Sequence, residues 1–223
     1  MSGIISGKIC GEFLSKTRGN LPPYFPYLSF MKIVLATQNP KKRKELLELL
    51  PEHFEILNPS DVNWTLPIEE TGTTLQQNAL IKAKTLAEFT NLPALADDSG
   101  LLVDALNGAP GVYSARYAGE NATDQDNIVK LLRALENTEN RAARFETVLA
   151  WVHGAEIKYF KGEVKGKIID QPKGTNGFGY DPVFVPENKE QTFGELSSEV
   201  KKSLSHRSKA LQQFLEFIET MEE

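Results

Sequence analysis

The sequence predicts a mixed α/β protein with a central cleft, on three observations. Short β-rich runs alternate with long amphipathic helices from residue 31 onward. A strand meander fills residues 145–170, and no internal repeat or low-complexity tract breaks the pattern. At 223 residues with 40% hydrophobic residues, the chain can bury a core as one domain or as two closely packed lobes. A formal charge of −5 argues against a general nucleic-acid binder but leaves room for a local anion site. The single Cys10 excludes an intramolecular disulfide and a Cys-based zinc site. No apolar run approaches about 18 residues and no secretory segment is visible, so a soluble, cytoplasmic protein that engages no membrane is expected.

Residues 1–30 read as an N-terminal extension foreign to the rest of the chain. They carry four Gly, three Pro and scattered basic residues (Lys8, Lys16, Arg18) without a sustained helical or strand period. Met31-Lys32-Ile33-Val34-Leu35 reads as a chain start leading into a strand. One domain is therefore expected over 31–223, with the extension dispensable for folding and activity.

Each element has its own local cause. Lys32–Ala36 predicts a strand. Asn39 is a good N-cap and Pro40 suits the first helical position, so a helix is expected from there to about Leu50, with Leu46, Leu47, Leu49 and Leu50 as its apolar face. Phe54–Leu57 predicts a second strand. After a Pro-containing loop, Leu75–Phe89 predicts a helix burying Leu75, Ala79, Ala83, Leu86, Ala87 and Phe89, with Asn78 aimed at the cleft. Thr123-Asp124-Gln125-Asp126 resembles a capping box opening a helix to about Glu136, read as purely structural, with Ile128, Val129, Leu131, Leu132 and Leu135 inward. Phe145–His153 and Glu156–Gly162 predict a hairpin, and Val164–Asp170 a third strand. Ser205 caps a last helix with Leu211, Phe214, Leu215 and Ile218 as its stripe.

Between these elements lie the stretches that carry chemistry. Leu92–Ala96 is an apolar run ending in Asp97-Asp98-Ser99-Gly100, with a second apolar run immediately after it. Side chains alternate across a strand, so Asp97 and Asp98 face opposite ways, one free to serve the fold and the other a cavity. Buried carboxylates need a partner; either an Asx-turn with Gly100 at positive φ or a cation supplies it. Thr37, Asn39 and Lys42 form either a phosphate cradle at a helix N-terminus or a well-capped helix with solvated lysines. Glu69 and Glu70 precede a helix, where acids either complement its dipole or join Asp98 around a metal. Gly174–Tyr180 holds three Gly and two aromatics, so Phe178 or Tyr180 either stacks on a planar base or plugs the core. The turn at Gly108–Arg116 places Ser114 and Arg116 where a loop can contact ligand. Lys201, His206 and Arg207 gather at a helix start, where the macrodipole disfavours cations; an anionic or keto-rich ligand would explain them. Together these residues suit a Mg²⁺-nucleotide, because oxygen-rich carboxylate sites favour that ion.

The motifs Thr37-x-Asn39-x-x-Lys42, Glu69-Glu70-Thr71-Gly72, Ala96-Asp97-Asp98-Ser99-Gly100-Leu101, Gly108-Ala109-Pro110-Gly111-x-Tyr113-Ser114-Ala115-Arg116, Phe178-Gly179-Tyr180-Asp181-Pro182 and Ser205-His206-Arg207 resemble, in order, those of the inosine/xanthosine triphosphate pyrophosphatases. The resemblance covers residues 31–220. It implies an elongated two-lobed α/β fold, usually a homodimer, that hydrolyses non-standard purine nucleoside triphosphates to monophosphate and pyrophosphate with Mg²⁺. It also implies that Asp98 is the general base and a metal residue, with Glu69 or Glu70 completing the acidic site. By the same resemblance Thr37, Gln38, Asn39, Pro40, Lys41 and Lys42 hold phosphates and Ser99 binds substrate. Phe178, Gly179, Tyr180, Asp181, Lys201, His206 and Arg207 would then surround the base.

Overall fold

The computed structural model describes residues 31–221; the expected extension over 1–30 lies outside the described residues. Six strands form one open sheet in the order β2-β1-β3-β4-β5-β6. They are β1 (Met31–Leu35), β2 (Phe54–Leu57), β3 (Ala94–Val103), β4 (Ala142–His153), β5 (Glu156–Ile168) and β6 (Phe184–Pro186). Strand β1 runs parallel to both β2 and β3, and the remaining pairs are antiparallel. The sheet is therefore mixed, parallel among β2, β1 and β3 and antiparallel from β3 to β6.

The helices are α1 (Pro40–Leu47), α2 (Leu75–Thr90), α3 (Asp124–Ala134), α4 (Ser198–Leu204) and α5 (His206–Met221). The first half of the sheet is covered on both faces. Ala79, Ala83 and Leu86 of α2 pack on Ala94, Ala96, Val148 and Ala150. On the other face Leu211, Phe214 and Ile218 of α5, with Leu46 of α1, pack on Leu95, Leu149, Trp151 and Phe160. The long β4–β5 hairpin carries the sheet into a second core, where Phe145 and Val164 meet Ile128 and Leu131 of α3 and Phe184 and Phe193. The two packed regions correspond to the two lobes.

Several local expectations change. Helix α1 ends at Leu47, with Leu49 and Leu50 only half-buried beyond it. Strand β5 is one 13-residue strand in place of the two expected; Gly162 does not break it, because Gly162 pairs with Thr147 in an unbroken ladder. Strand β3 runs straight through the acids for 10 residues, so no Asx-turn forms and Gly100 has no positive φ. Gly is required at 100 for space: a Cβ there would lie 2.4 Å from the Gly111 carbonyl oxygen. Phe89 and Val129 lie at the margins of their apolar stripes and are exposed, Phe89 packing edge-on against Trp64. The short helix α4 is an addition to the elements the sequence predicts.

Candidate active site

The unequal lengths of β1 and β3 create the cleft. Strand β1 pairs with β3 only through Ala94 and Leu95, so the β3 edge is open beyond that point. It is taken up again where Leu101 N–H donates to Ser114 Oγ at 2.9 Å and Leu102 bridges Pro110. Into the gap point the N-terminus of α1 and the 111–116 turn. The result is a cleft of about 710 Å³, the usual size for a small-molecule site.

One end of the cleft is acidic. Asp98 and Asp97 face opposite ways from β3, as the alternation requires. Asp98 lines the cleft, and its Oδ1 accepts from Lys82 Nζ at 3.1 Å. The same ammonium donates to Glu70 Oε1 at 2.7 Å. Burial favours the neutral amine of Lys82, but Asp98, Asp97 and Glu70 outweigh it and raise its pKa. Burial also raises the pKa of Asp98, against the pull of Lys82 and Lys42. Asp98 Oδ2 is buried without a hydrogen-bond partner. Glu70 further draws Arg116, whose Nη1 lies 3.8 Å away. Glu69 lines the cleft but is exposed, and no three His, Cys, Asp or Glu side chains converge among the described residues. Glu70 is thus the acid that joins Asp98. Asn78 does not enter the cleft: it is buried behind the loop, where its Oδ1 accepts from Gly72 N–H at 2.8 Å.

Asp97 takes the fold's side of the pair. It is fully buried, and its Oδ2 sits 3.4 Å from Lys42 Nζ and 3.4 Å from Arg207 Nη2, with Ser99 Oγ donating at 3.1 Å. Burial opposes its charge, but Lys42, Arg207 and Lys82 prevail and hold it well below the ordinary carboxylate range. Asp97 therefore fixes two cations that themselves line the cleft.

At the N-terminus of α1, Asn39 Oδ1 accepts from the amides of Lys41 and Lys42 at 3.0 and 3.1 Å, as its cap role predicts. Thr37, Gln38, Asn39 and Lys42 line the cleft; Pro40 and Lys41 do not. Lys41 instead reaches Asp124 Oδ2 at 2.9 Å, and Asp124 also accepts from Gly179 N–H at 3.0 Å. The start of α3, expected to be structural only, is thus part of the site.

The opposite end is aromatic and cationic. Lys201 donates to Asp181 Oδ2 at 2.7 Å and to Glu45 Oε1 at 2.9 Å, and Arg207 also bonds Glu45. Lys201 lies not at a helix start but in the last turn of α4, where the dipole favours a cation. Of the two only Arg207 sits at a helix start, and there Glu45 and Asp97 balance it. His206 is buried and stacks on Phe145, centroids 5.0 Å apart and planes at 11°. Burial first, then Arg207, Lys201 and Lys42, press its pKa well below the usual value, leaving a neutral imidazole. Its Nδ1 and the Nε of Arg207 have no partner. Phe178 lines the cleft with Lys201 Nζ 4.9 Å from its ring centroid. Tyr180 is buried, and its hydroxyl donates to the Ser114 carbonyl at 2.9 Å, so it walls the cleft and ties the Gly-rich loop to the 111–116 turn.

Lys82, Glu45 and Asp124 join the site without having been singled out by sequence reasoning. Lys82 carries a readable signal: it is a lysine set in the apolar stripe of Ala79, Ala83 and Leu86.

Fold and site define an α/β protein with an acid–base end, a helix N-terminus and a cationic, aromatic end around one cleft. A family model described as the Ham1 family matches residues 33–217, and the chain belongs to that family. It is 47% identical over 188 residues to the dITP/XTP pyrophosphatase of Flavobacterium johnsoniae, covering 84% of this chain and 98% of that protein. The Staphylococcus aureus Ham1 protein structure matches with a TM-score of 0.80 at 42% identity, over 85% of this chain and 99% of that one. A nucleoside-triphosphatase (dITP/XTP pyrophosphatase) structure from Mycobacterium abscessus matches with a TM-score of 0.71 at 44% identity, over 83% and 99%.

Proposed function

We propose that the protein is a nucleoside triphosphate pyrophosphatase that hydrolyses ITP, dITP and XTP to the monophosphate and pyrophosphate with Mg²⁺, clearing these nucleotides from the pool. The observation that carries the reading is the polarity of the cleft. Glu70 and Asp98 stand at one end, and the unpartnered Nε of Arg207 beside the unpartnered Nδ1 of a neutral His206 stands at the other. The names of its relatives support the same class of reaction.

The acidic end fits Mg²⁺. Two carboxylates share a single ammonium, and Asp98 Oδ2 keeps free acceptor capacity. Hard oxygen donors from one or two carboxylates, with phosphates and water completing the shell, are how Mg²⁺ is commonly held. When bound between Glu70 and Asp98, the ion would neutralise phosphate charge and lower the barrier to water attack. Asp98 accepts the proton of the attacking water. Thr37, Asn39 and Lys42 bind and orient the phosphates through side-chain donors, the Lys42 ammonium above all, at the positive end of α1.

At the far end Arg207 and Lys201 donate to a 6-keto oxygen, and Phe178 covers the ring. Adenine presents an amino donor there, so the site's donors would be left unpaired, a strong basis for rejection. Guanine shares the keto group and must be rejected at its 2-amino group. The family likeness also implies a homodimer, for which light scattering should give twice the chain mass.

The test is pyrophosphate release from ITP, dITP, XTP, GTP and ATP with Mg²⁺. Fast release from the first three and little from the last two is expected; equal turnover of all five would overturn the proposed specificity. Arg207→Ala should erode the preference for ITP over ATP.

A further inference from the structure

Lys82 is the cation that the acidic pair already holds. Its stem runs along the apolar face of α2 between Ala79 and Leu86, and the residue is only 8% exposed. That stem delivers one ammonium to both Glu70 Oε1 (2.7 Å) and Asp98 Oδ1 (3.1 Å). Two carboxylates this close repel one another unless a cation stands between them. Further positive charge approaches the same acids: Arg116 lies 3.8 Å from Glu70 and Lys42 lies 4.0 Å from Asp98. A divalent ion entering alone would therefore meet acids whose charge is already balanced.

We propose that Lys82 is a tethered counter-cation that competes with the divalent metal for Glu70 and Asp98, so that metal loads with the triphosphate rather than ahead of it. The proposal rests on the reading of Glu70 and Asp98 as metal-holding acids. Phosphate oxygens supply the charge that makes the exchange favourable. They neutralise the incoming ion and give the displaced ammonium a new anionic partner within reach of its flexible four-carbon stem. Lys82 is thus a positioning residue, keeping the two acids together in the resting protein without a metal.

The experiment measures Mn²⁺ binding to the full chain without nucleotide, by calorimetry and by the electron paramagnetic resonance of free Mn²⁺. Wild type is expected to bind weakly. Lys82→Met, which keeps the stem and removes the charge, should bind about tenfold or more tightly. Lys82→Gln, which can still hydrogen-bond both acids, serves if the methionine variant does not fold, and should show the same gain. Lys82→Arg, which keeps the charge, should remain as weak as wild type. Equal or weaker Mn²⁺ binding in Lys82→Met and Lys82→Gln overturns the proposal. If wild-type ITP hydrolysis is Mg²⁺-dependent while those variants show no gain, this inference fails alone. If hydrolysis needs no metal, the reading beneath it fails as well.

Discussion

Arg207 at the start of α5 and Asp97 in the middle of β3, 110 residues apart in sequence, meet as a fully buried ion pair at 3.4 Å. Asp97 also faces Lys42 at 3.4 Å, so one carboxylate anchors a cation from each side of the cleft. Asp97→Ala would remove the carboxylate these cations share, leaving Arg207 with Glu45 and Lys42 with Asp98 at 4.0 Å. Removing one partner of a buried pair costs roughly 3–5 kcal/mol, and because those acids keep partial balance a loss toward the lower end of that range is expected here. Urea unfolding measures it; a midpoint within experimental error of wild type would show that solvent, not Asp97, balances these cations.

Asp98 lines the cleft with one buried oxygen left over. Its Oδ1 is taken by Lys82, while Oδ2 is buried and unpartnered. Asp98→Asn retains the shape but cannot accept a proton, and general-base losses run at about 10²–10⁴-fold in turnover. ITP should still bind, because Thr37, Lys42 and Arg207 are untouched. Steady-state pyrophosphate release beside equilibrium ITP binding separates the two effects. Turnover near the wild-type rate would remove Asp98 from the base role.

What was legible in the sequence was local. The Asn39 cap and Pro40 come from chemistry within four residues, and the opposite facing of Asp97 and Asp98 comes from the two-residue period of a strand. What was hidden depended on distant chain. Glu45 looks like one more charge on a lysine-rich helix, yet its partners are 156 and 162 residues away. Asp124 reads as the first residue of a capped helix, and only the fold brings Lys41 and Gly179 to it. Gly162 looks like the end of a strand because Gly weakens strands. Phe89 and Val129 fit the helical period but sit at the edge of their stripes, where periodicity cannot tell a core position from a surface one.

His206 should make stability fall on mild acidification. Burial, Arg207, Lys201 and Lys42 lower its folded pKa well below 6.5, with only Asp97 opposing them among the named charges. Below the unfolded value the unfolded chain binds the proton and the folded chain does not. Stability therefore drops as pH falls through 6.5 and stops dropping only at the lower folded pKa, by up to about 1.4 kcal/mol per pH unit. His206→Asn removes the titrating group, so its unfolding free energy should change less than that of wild type between pH 7 and pH 5. Parallel profiles from chemical denaturation at several pH values would rule out His206 as the source.

Gly162 sets how closely α5 lies on the sheet. A Cβ at this position would stand 1.9 Å from the His206 carbonyl oxygen and 2.6 Å from the Ala210 amide nitrogen. Both are helix backbone atoms, so no side-chain rotation relieves the clash. The glycine is needed for space, since Gly162 has no positive φ and any residue could adopt its extended conformation. Gly162→Ala must therefore lift the first turns of α5, which carry His206 and Arg207. Overpacking of this kind costs about 1–3 kcal/mol, and the same displacement should raise the KM for ITP more than it lowers kcat, because the ring-binding end moves while Asp98 on β3 does not. Thermal unfolding and steady-state kinetics on the one variant read both consequences. Lost stability with an unchanged KM would separate the seat of α5 from the binding of the base.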